Sequence, residues 1–168
     1  MAYVKGMHHV AWRCKDAEET RHFYEDILGL PLAHLIKADN VPSTGELMPY
    51  VHLFFELGDG SYIAFFDIND GEGNTLHPEM PEWIPHFAME VESQEILEKT
   101  KKHLEDNSVD VVGVVDHHIV RSIYFFDPNG VRLEFTIRST SEATMEAAKV
   151  VARSKLNDWI REKNALTI

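Results

Sequence analysis

Three residues of this 168-residue chain combine types and positions that suit divalent-metal chemistry: His9 in MHHVAWRC, His86 in PHFAMEV and Glu134 in VRLEF. Each histidine stands in a short strand-like run, and Glu134 is a charged residue between Leu133 and Phe135. Burying such a carboxylate without a cation is expensive. Two neutral imidazoles and one carboxylate converging on one cavity make a facial triad, which leaves open positions for substrate and O2 on a divalent metal such as Fe(II). Periodicity alone leaves an ordinary structural role for all three equally open.

The elements that would position them come from an internal repeat. Residues 6–31 read as strand, polar turn, helix and turn, and residues 84–112 read the same way. Helical spacing relates Phe23, Tyr24, Ile27 and Leu28 in the first helix, and Ile96, Leu97, Thr100 and Leu104 in the second. Gly29 is placed as a C-cap. Three strand-like runs follow each helix, Leu32 to Ala38, Tyr50 to Leu57 and Tyr62 to Ile68, then Val109 to Val115, Val120 to Phe126 and Val131 to Ile137. GDG at 58–60 and DPNG at 127–130 supply the hairpin turns. The expected fold class is α+β, with two tandem βαβββ modules (residues 5–70 and 82–138) forming a half-open mixed β-barrel in one domain, 1–138. Residues 39–49 (DNVPSTGELMP) are expected to form a loop that covers the site.

Residues 139–168 read as an amphipathic helix, with Ser139 and Glu142 in capping-box spacing. Met145, Ala148, Val151 or Ala152, Leu156, Trp159 and Ile160 run along one face, which is expected to pack on its own domain or on a dimer partner.

Strand alternation decides which side chains meet. It sets His9, His86 and Glu134 opposite the apolar residues that pack under the helices. Ser122, Tyr124, His52, Phe54, Tyr62 and Ala64 join them on the non-helix faces, so the cavity is expected to be partly aromatic with a few polar groups, as small-molecule sites usually are. His22 and His103 are expected to be solvated, and His8 and His34 have no assigned partner.

Sixteen Lys and Arg against 28 Asp and Glu give a net charge of −12, a field that repels phosphate backbones and anionic membranes. Neither nucleic acid nor membrane is an expected partner. No apolar run approaches the ~20 residues of a membrane helix, and no signal-peptide pattern opens the chain, so a cytoplasmic location is expected. Cys14, the only cysteine, is expected to be structural.

The runs GMHHVAWRCKDAEETRHFYEDILGL, HFAMEV and RSIYFFDPNGVRLEF resemble the vicinal-oxygen-chelate superfamily, which includes glyoxalases, bleomycin and fosfomycin resistance proteins and extradiol dioxygenases, over residues 5–138. The resemblance implies that His9, His86 and Glu134 are metal ligands. Ala64 occupies the position of the fourth glyoxalase ligand, leaving a set similar to that of extradiol ring-cleaving dioxygenases. It further implies that Tyr124 hydrogen-bonds a metal-bound substrate oxygen and that a histidine acts as acid or base. His77 is the nearest candidate upstream of His86 but does not align; His52 ranks first, then His118 and His117, the latter also placed to bind substrate at the cavity mouth. Phe54, Tyr62 and Phe66 would contact the ring, and Arg132 is the cation the strands offer to an oxyanion.

The expected activity is Fe(II)-dependent extradiol cleavage of an aromatic vicinal diol with O2 by a homodimer. One alternative is a lyase, isomerase, epimerase or thiol transferase using Mn(II), Zn(II), Ni(II) or Co(II) as a Lewis acid. A metal-free binding protein is the other. Half-sites drawn from one chain or from two both stay open.

Overall fold

The computed structural model describes residues 6–73, 81 and 83–165, so His77 lies outside the described residues. The elements are β1 (His9–Arg13), α1 (Ala17–Arg21) continuing as a π turn (His22–Ile27), β2 (Leu32–Asn40), β3 (Leu47–Glu56), β4 (Tyr62–Asp67), β5 (Phe87–Glu90), α2 (Gln94–Asp106), β6 (Val112–Asp116), β7 (Val120–Phe126), β8 (Arg132–Arg138) and α3 (Glu142–Ala165).

Local chemistry explains the boundaries. Asp16 caps α1 by accepting the Glu19 N–H at 2.7 Å, and Ser93 caps α2 by accepting the Ile96 N–H at 3.2 Å. Gly29, at φ 72°, closes the first helix as its position implied. That helix is not regular throughout. Leu28 N–H donates to the Phe23 carbonyl at 2.9 Å, a five-residue step, and this wider turn lets the adjacent Phe23 and Tyr24 both bury.

Two four-stranded sheets form, β1-β4-β3-β2 and β5-β8-β7-β6. In each the first strand pairs parallel with the fourth and the remaining pairs are antiparallel. The repeat is thereby reproduced strand for strand, and the sheets do not close into a barrel. The expected covering loop is absent: β2 and β3 extend through it, Asn40 pairing with Leu47 across a tight turn at 41–46.

Helix-side residues of both sheets merge into one core containing Phe23, Tyr24, Phe55 and Phe65 from the first module and Leu97, Ile123, Phe125 and Leu133 from the second. A buried polar junction fixes the modules to each other. Tyr24 donates to Asp127 Oδ2 at 3.0 Å, Asn129 Nδ2 donates to Thr20 Oγ1 at 3.1 Å, and the Lys15 N–H donates to Asn129 Oδ1 at 2.9 Å. Asp127 Oδ1 also accepts the Asn129 and Val131 N–H groups of its own DPNG turn, at 2.9 and 2.7 Å. Burial raises the Asp127 carboxyl and holds the Tyr24 hydroxyl well above the usual phenol range. Cys14 is buried beside this junction, its thiol pushed by burial up to about 11, which suits the structural role expected of it.

Helix α3 departs from expectation at its root. Ser141, not Ser139, is the cap: its Oγ accepts the Thr144 N–H at 3.2 Å, while Ser139 Oγ donates to the His118 carbonyl at 3.3 Å.

Tyr24→Phe removes one partner of a buried carboxyl and is expected to lower stability by about 1–2 kcal/mol. Asp127→Ala orphans three donors together and should cost about 3 kcal/mol or more. Urea midpoints at unchanged m-value check both.

Candidate metal centre

The second sheet builds one half of the centre. Glu134 on β8 is opposite Ala88 of β5 and Tyr124 of β7, so the strand carrying the carboxylate is flanked on both sides. Its side chain is buried, and the Ser122 hydroxyl donates to Oε1 at 2.5 Å. His86, immediately before β5, places Nε2 3.1 Å from Glu134 Oε2. The opposite ring nitrogen, Nδ1, lies 3.1 Å from the Ile84 carbonyl. A carbonyl only accepts, so Nδ1 carries the hydrogen, which leaves Nε2 as the ring nitrogen that takes a proton or a metal beside the carboxylate.

Two acceptor atoms in that position require a cation between them, either a proton or a metal. A separation of 3.1 Å also matches adjacent corners of an octahedron with metal–ligand bonds of about 2.1–2.2 Å. The Nδ1–H held by a carbonyl and the hydroxyl held on Glu134 are the outer contacts that orient metal ligands. The donor set of this half therefore fits a divalent ion.

Around it stand the other second-module residues. The Tyr124 hydroxyl lies 2.8 Å from His117 Nε2, the Tyr124 ring is 6.2 Å from His86, and the Arg132 guanidinium carbon lies 4.5 Å over the Tyr124 ring. Burial raises the Tyr124 hydroxyl, which keeps it a proton donor at neutral pH. His118 is elsewhere: at φ 69° it turns the β6–β7 hairpin and lines a groove with Asp116, Arg121 and Ser139.

The first sheet builds a separate cluster. His9 is exposed at the start of β1, its ring 6.0 Å from His52 and 5.5 Å from Phe54. His52 is 8% exposed, stacked 3.7 Å from Phe66, and its Nε2 has no hydrogen-bond partner. Burial, then the neighbouring His9 and His34, pull its imidazole down to about 4. Tyr62 stands at the rim, opposite His9 in register. Two histidines with no assigned partner in the sequence belong here. His8 Nδ1 lies 2.8 Å from His9 Nδ1, and His34 packs 5.6 Å from Phe54, its cross-strand partner. The His34 contact was recoverable from hairpin register, whereas that of His8 depends on ring rotation.

Within one chain, then, His86 and Glu134 meet while His9 stands with His52. Among the described residues no group of three or more His, Cys, Asp or Glu is placed to hold an ion.

Comparison with known proteins gives a match to the Glyoxalase/Bleomycin resistance protein/Dioxygenase superfamily over residues 6–135. An integron cassette protein from the mobile metagenome of Halifax Harbour sewage outfall is 30% identical, with TM-score 0.57, covering 80% of this chain and 99% of that one. A glyoxalase/dioxygenase from Nostoc punctiforme is 23% identical, with TM-score 0.60, covering 82% and 94%. A mutant of the fosfomycin resistance protein FosX from Listeria monocytogenes, complexed with Mn(II) and 1S,2S-dihydroxypropylphosphonic acid, is 18% identical, with TM-score 0.57, covering 84% and 98%. The last two likenesses show the fold.

The His52 environment has a measurable consequence. Its imidazole is neutral in the folded chain down to about pH 4 and takes up a proton near 6.5 once unfolded, so folding stability is lost as pH falls through that window. Between pH 7 and pH 5 the loss attributable to His52 should be about 1–2 kcal/mol, and His52→Phe should abolish it in urea titrations of the metal-free chain.

Proposed function

The chain belongs to the glyoxalase/bleomycin resistance/dioxygenase superfamily, and from that membership we propose that it is a metal-dependent enzyme that chelates a small molecule through two neighbouring oxygens. The carrying observation is the position of His86 Nε2, 3.1 Å from the buried Glu134 carboxylate, with Nδ1 held by the Ile84 carbonyl. His9 is the third ligand, supplied by a second copy of the chain, because its own chain holds it on the other sheet. An aromatic vicinal diol cleaved by O2 is the proposed substrate. The support for it is the first-sheet wall of Phe54, Phe66, Tyr62 and uncharged His52, which suits a flat ring better than an anion.

Fe(II) held by the triad would supply a Lewis-acidic centre that lowers the diol pKa and donates electrons to O2. The remaining work belongs to the chain. Ser122 fixes Glu134 so that Oε2 stays directed at His86. Tyr124 presents its hydroxyl hydrogen beside the carboxylate and exchanges it with His117 Nε2, which is exposed and relays protons to solvent. Arg132, stacked on the Tyr124 ring, holds that ring in place and brings positive charge toward substrate oxygen. His52 and its aromatic neighbours exclude water from the ring side.

A redox-inert lyase or isomerase is the second reading, supported by the Tyr124–His117 pair, which serves proton transfer without O2.

Anaerobically purified protein is expected to hold one divalent metal per chain, to lose it in His86→Ala and Glu134→Ala, and to consume O2 only when a catechol is added. Metal retained without diol-dependent O2 uptake selects the second reading; no metal under any loading condition overturns both. Tyr124→Phe should keep the metal and slow turnover by about 10²–10⁴-fold, read by steady-state kinetics.

A further inference from the structure

Helix α3 continues beyond the family match, which ends at residue 135, and it does not pack on its own sheets: every residue from Glu146 to Glu162 is exposed. Met145, Ala148, Ala152, Leu156, Trp159 and Ile160 lie within about 120° of arc on one face. Trp159 is 56% exposed, and Leu156 and Ile160 are 46% exposed each. A helix does not hold such a stripe in water without a partner, because helical stability comes mainly from burying the apolar face.

Charge identifies the partner. Residues 1–138 carry eleven Lys or Arg against twenty-four Asp or Glu, whereas residues 139–168 carry five against four. Two copies of so acidic a domain repel each other, and so would this domain and an anionic membrane. Two copies meet through α3, which carries no net negative charge, at lower Coulomb cost than through their acidic domains.

The shape of the stripe indicates how they meet. Its root is small, Ala148 and Ala152 lining an open groove with Arg138 and Met145, and its tip is large, with Leu156, Trp159 and Ile160. An antiparallel pair crossing near Ala152 sets the tip of each helix into the root groove of the other, large against small. We propose that α3 pairs antiparallel with α3 of a second copy of this chain, the crossing centred near Ala152. The inference rests in part on the reading of a metal centre completed by a second copy, since that reading independently requires a dimer. The helix pair would hold the two domains at high effective concentration and so favour their joining at His9.

Sedimentation of the full chain, metal-free and at neutral pH, is expected to give a dimer. Leu156→Glu and Trp159→Glu should each weaken it by about 30-fold or more. Ala152→Cys should oxidise to a disulfide-linked dimer, whereas Val150→Cys, off the stripe, should not. Far-UV circular dichroism and the urea midpoint establish that the variants are folded. A monomeric full chain, a dimer indifferent to both Glu variants, or sedimentation with phosphatidylserine vesicles in place of self-association would overturn the proposal. Metal content of the same variants reads the centre separately: monomeric Trp159→Glu retaining one ion per chain supports the helix pair and removes the shared site.

Discussion

A carboxylate oxygen and an imidazole nitrogen 3.1 Å apart need a cation between them, a proton or a metal, and the second module is built to hold them at that distance. The DPNG turn, tied by Asp127 to its own N–H groups, sets the β7–β8 register that places Glu134 opposite Tyr124 and beneath Ser122. Parallel pairing of β5 with β8 brings His86 alongside, and the Ile84 carbonyl chooses its tautomer. Each of these contacts removes an escape by which the two side chains could separate. In the proposed function, these restraints keep the pair in place for an ion that binds as a ligand and is not part of the fold.

The core stands on the other side of the same sheets. Because Phe23, Tyr24, Phe125 and Leu133 pack the helix faces together, the faces carrying His9, His52, His86 and Glu134 point away from that core. The Tyr24–Asp127 and Thr20–Asn129 contacts lock this relation between modules. The fold thus displays two half-sites of different chemistry. One holds the buried Glu134 with His86 and the Tyr124–His117 pair, the other the aromatic wall around His52. In the two proposals the open first-sheet face and the bare α3 stripe each receive a second copy of the chain, and the low net charge of residues 139–168 lets the copies meet there with less repulsion than through residues 1–138.

Much of this was legible in the sequence. Alternation in RLEFTIR sets Glu134 apart from Leu133 and Phe135, and the paired turns GDG and DPNG align the modules, as the matching strand orders confirm. What alternation cannot supply is the placement of one sheet against another, so it assigned His9 to the same kind of face as His86 without revealing that one chain keeps them apart. Residues 39–49 read as a loop because that stretch, which ends in Pro49, makes the first module longer than the second. In the structure that proline falls at the irregularity between Ala38 and Asn40, where no ladder hydrogen bond is demanded of it. The π turn was hidden because Phe23, Tyr24, Ile27 and Leu28 satisfy either helical period. Capping by Ser141 in place of Ser139 turned on a shift of two residues that serine-rich RSTSEA leaves open.

The central claim is that His9 of one chain completes the ion site of another. Mixing His9→Ala with Glu134→Ala, each unable to bind metal alone, and measuring bound metal after subunit exchange tests it most directly. A mixed dimer pairs the intact His9 of one chain with the intact His86 and Glu134 of the other, so metal binding is expected to return to about one quarter of the unmodified level at random exchange. No recovery, in mixtures shown to contain the mixed dimer, would contradict the account and place all three ligands within a single chain.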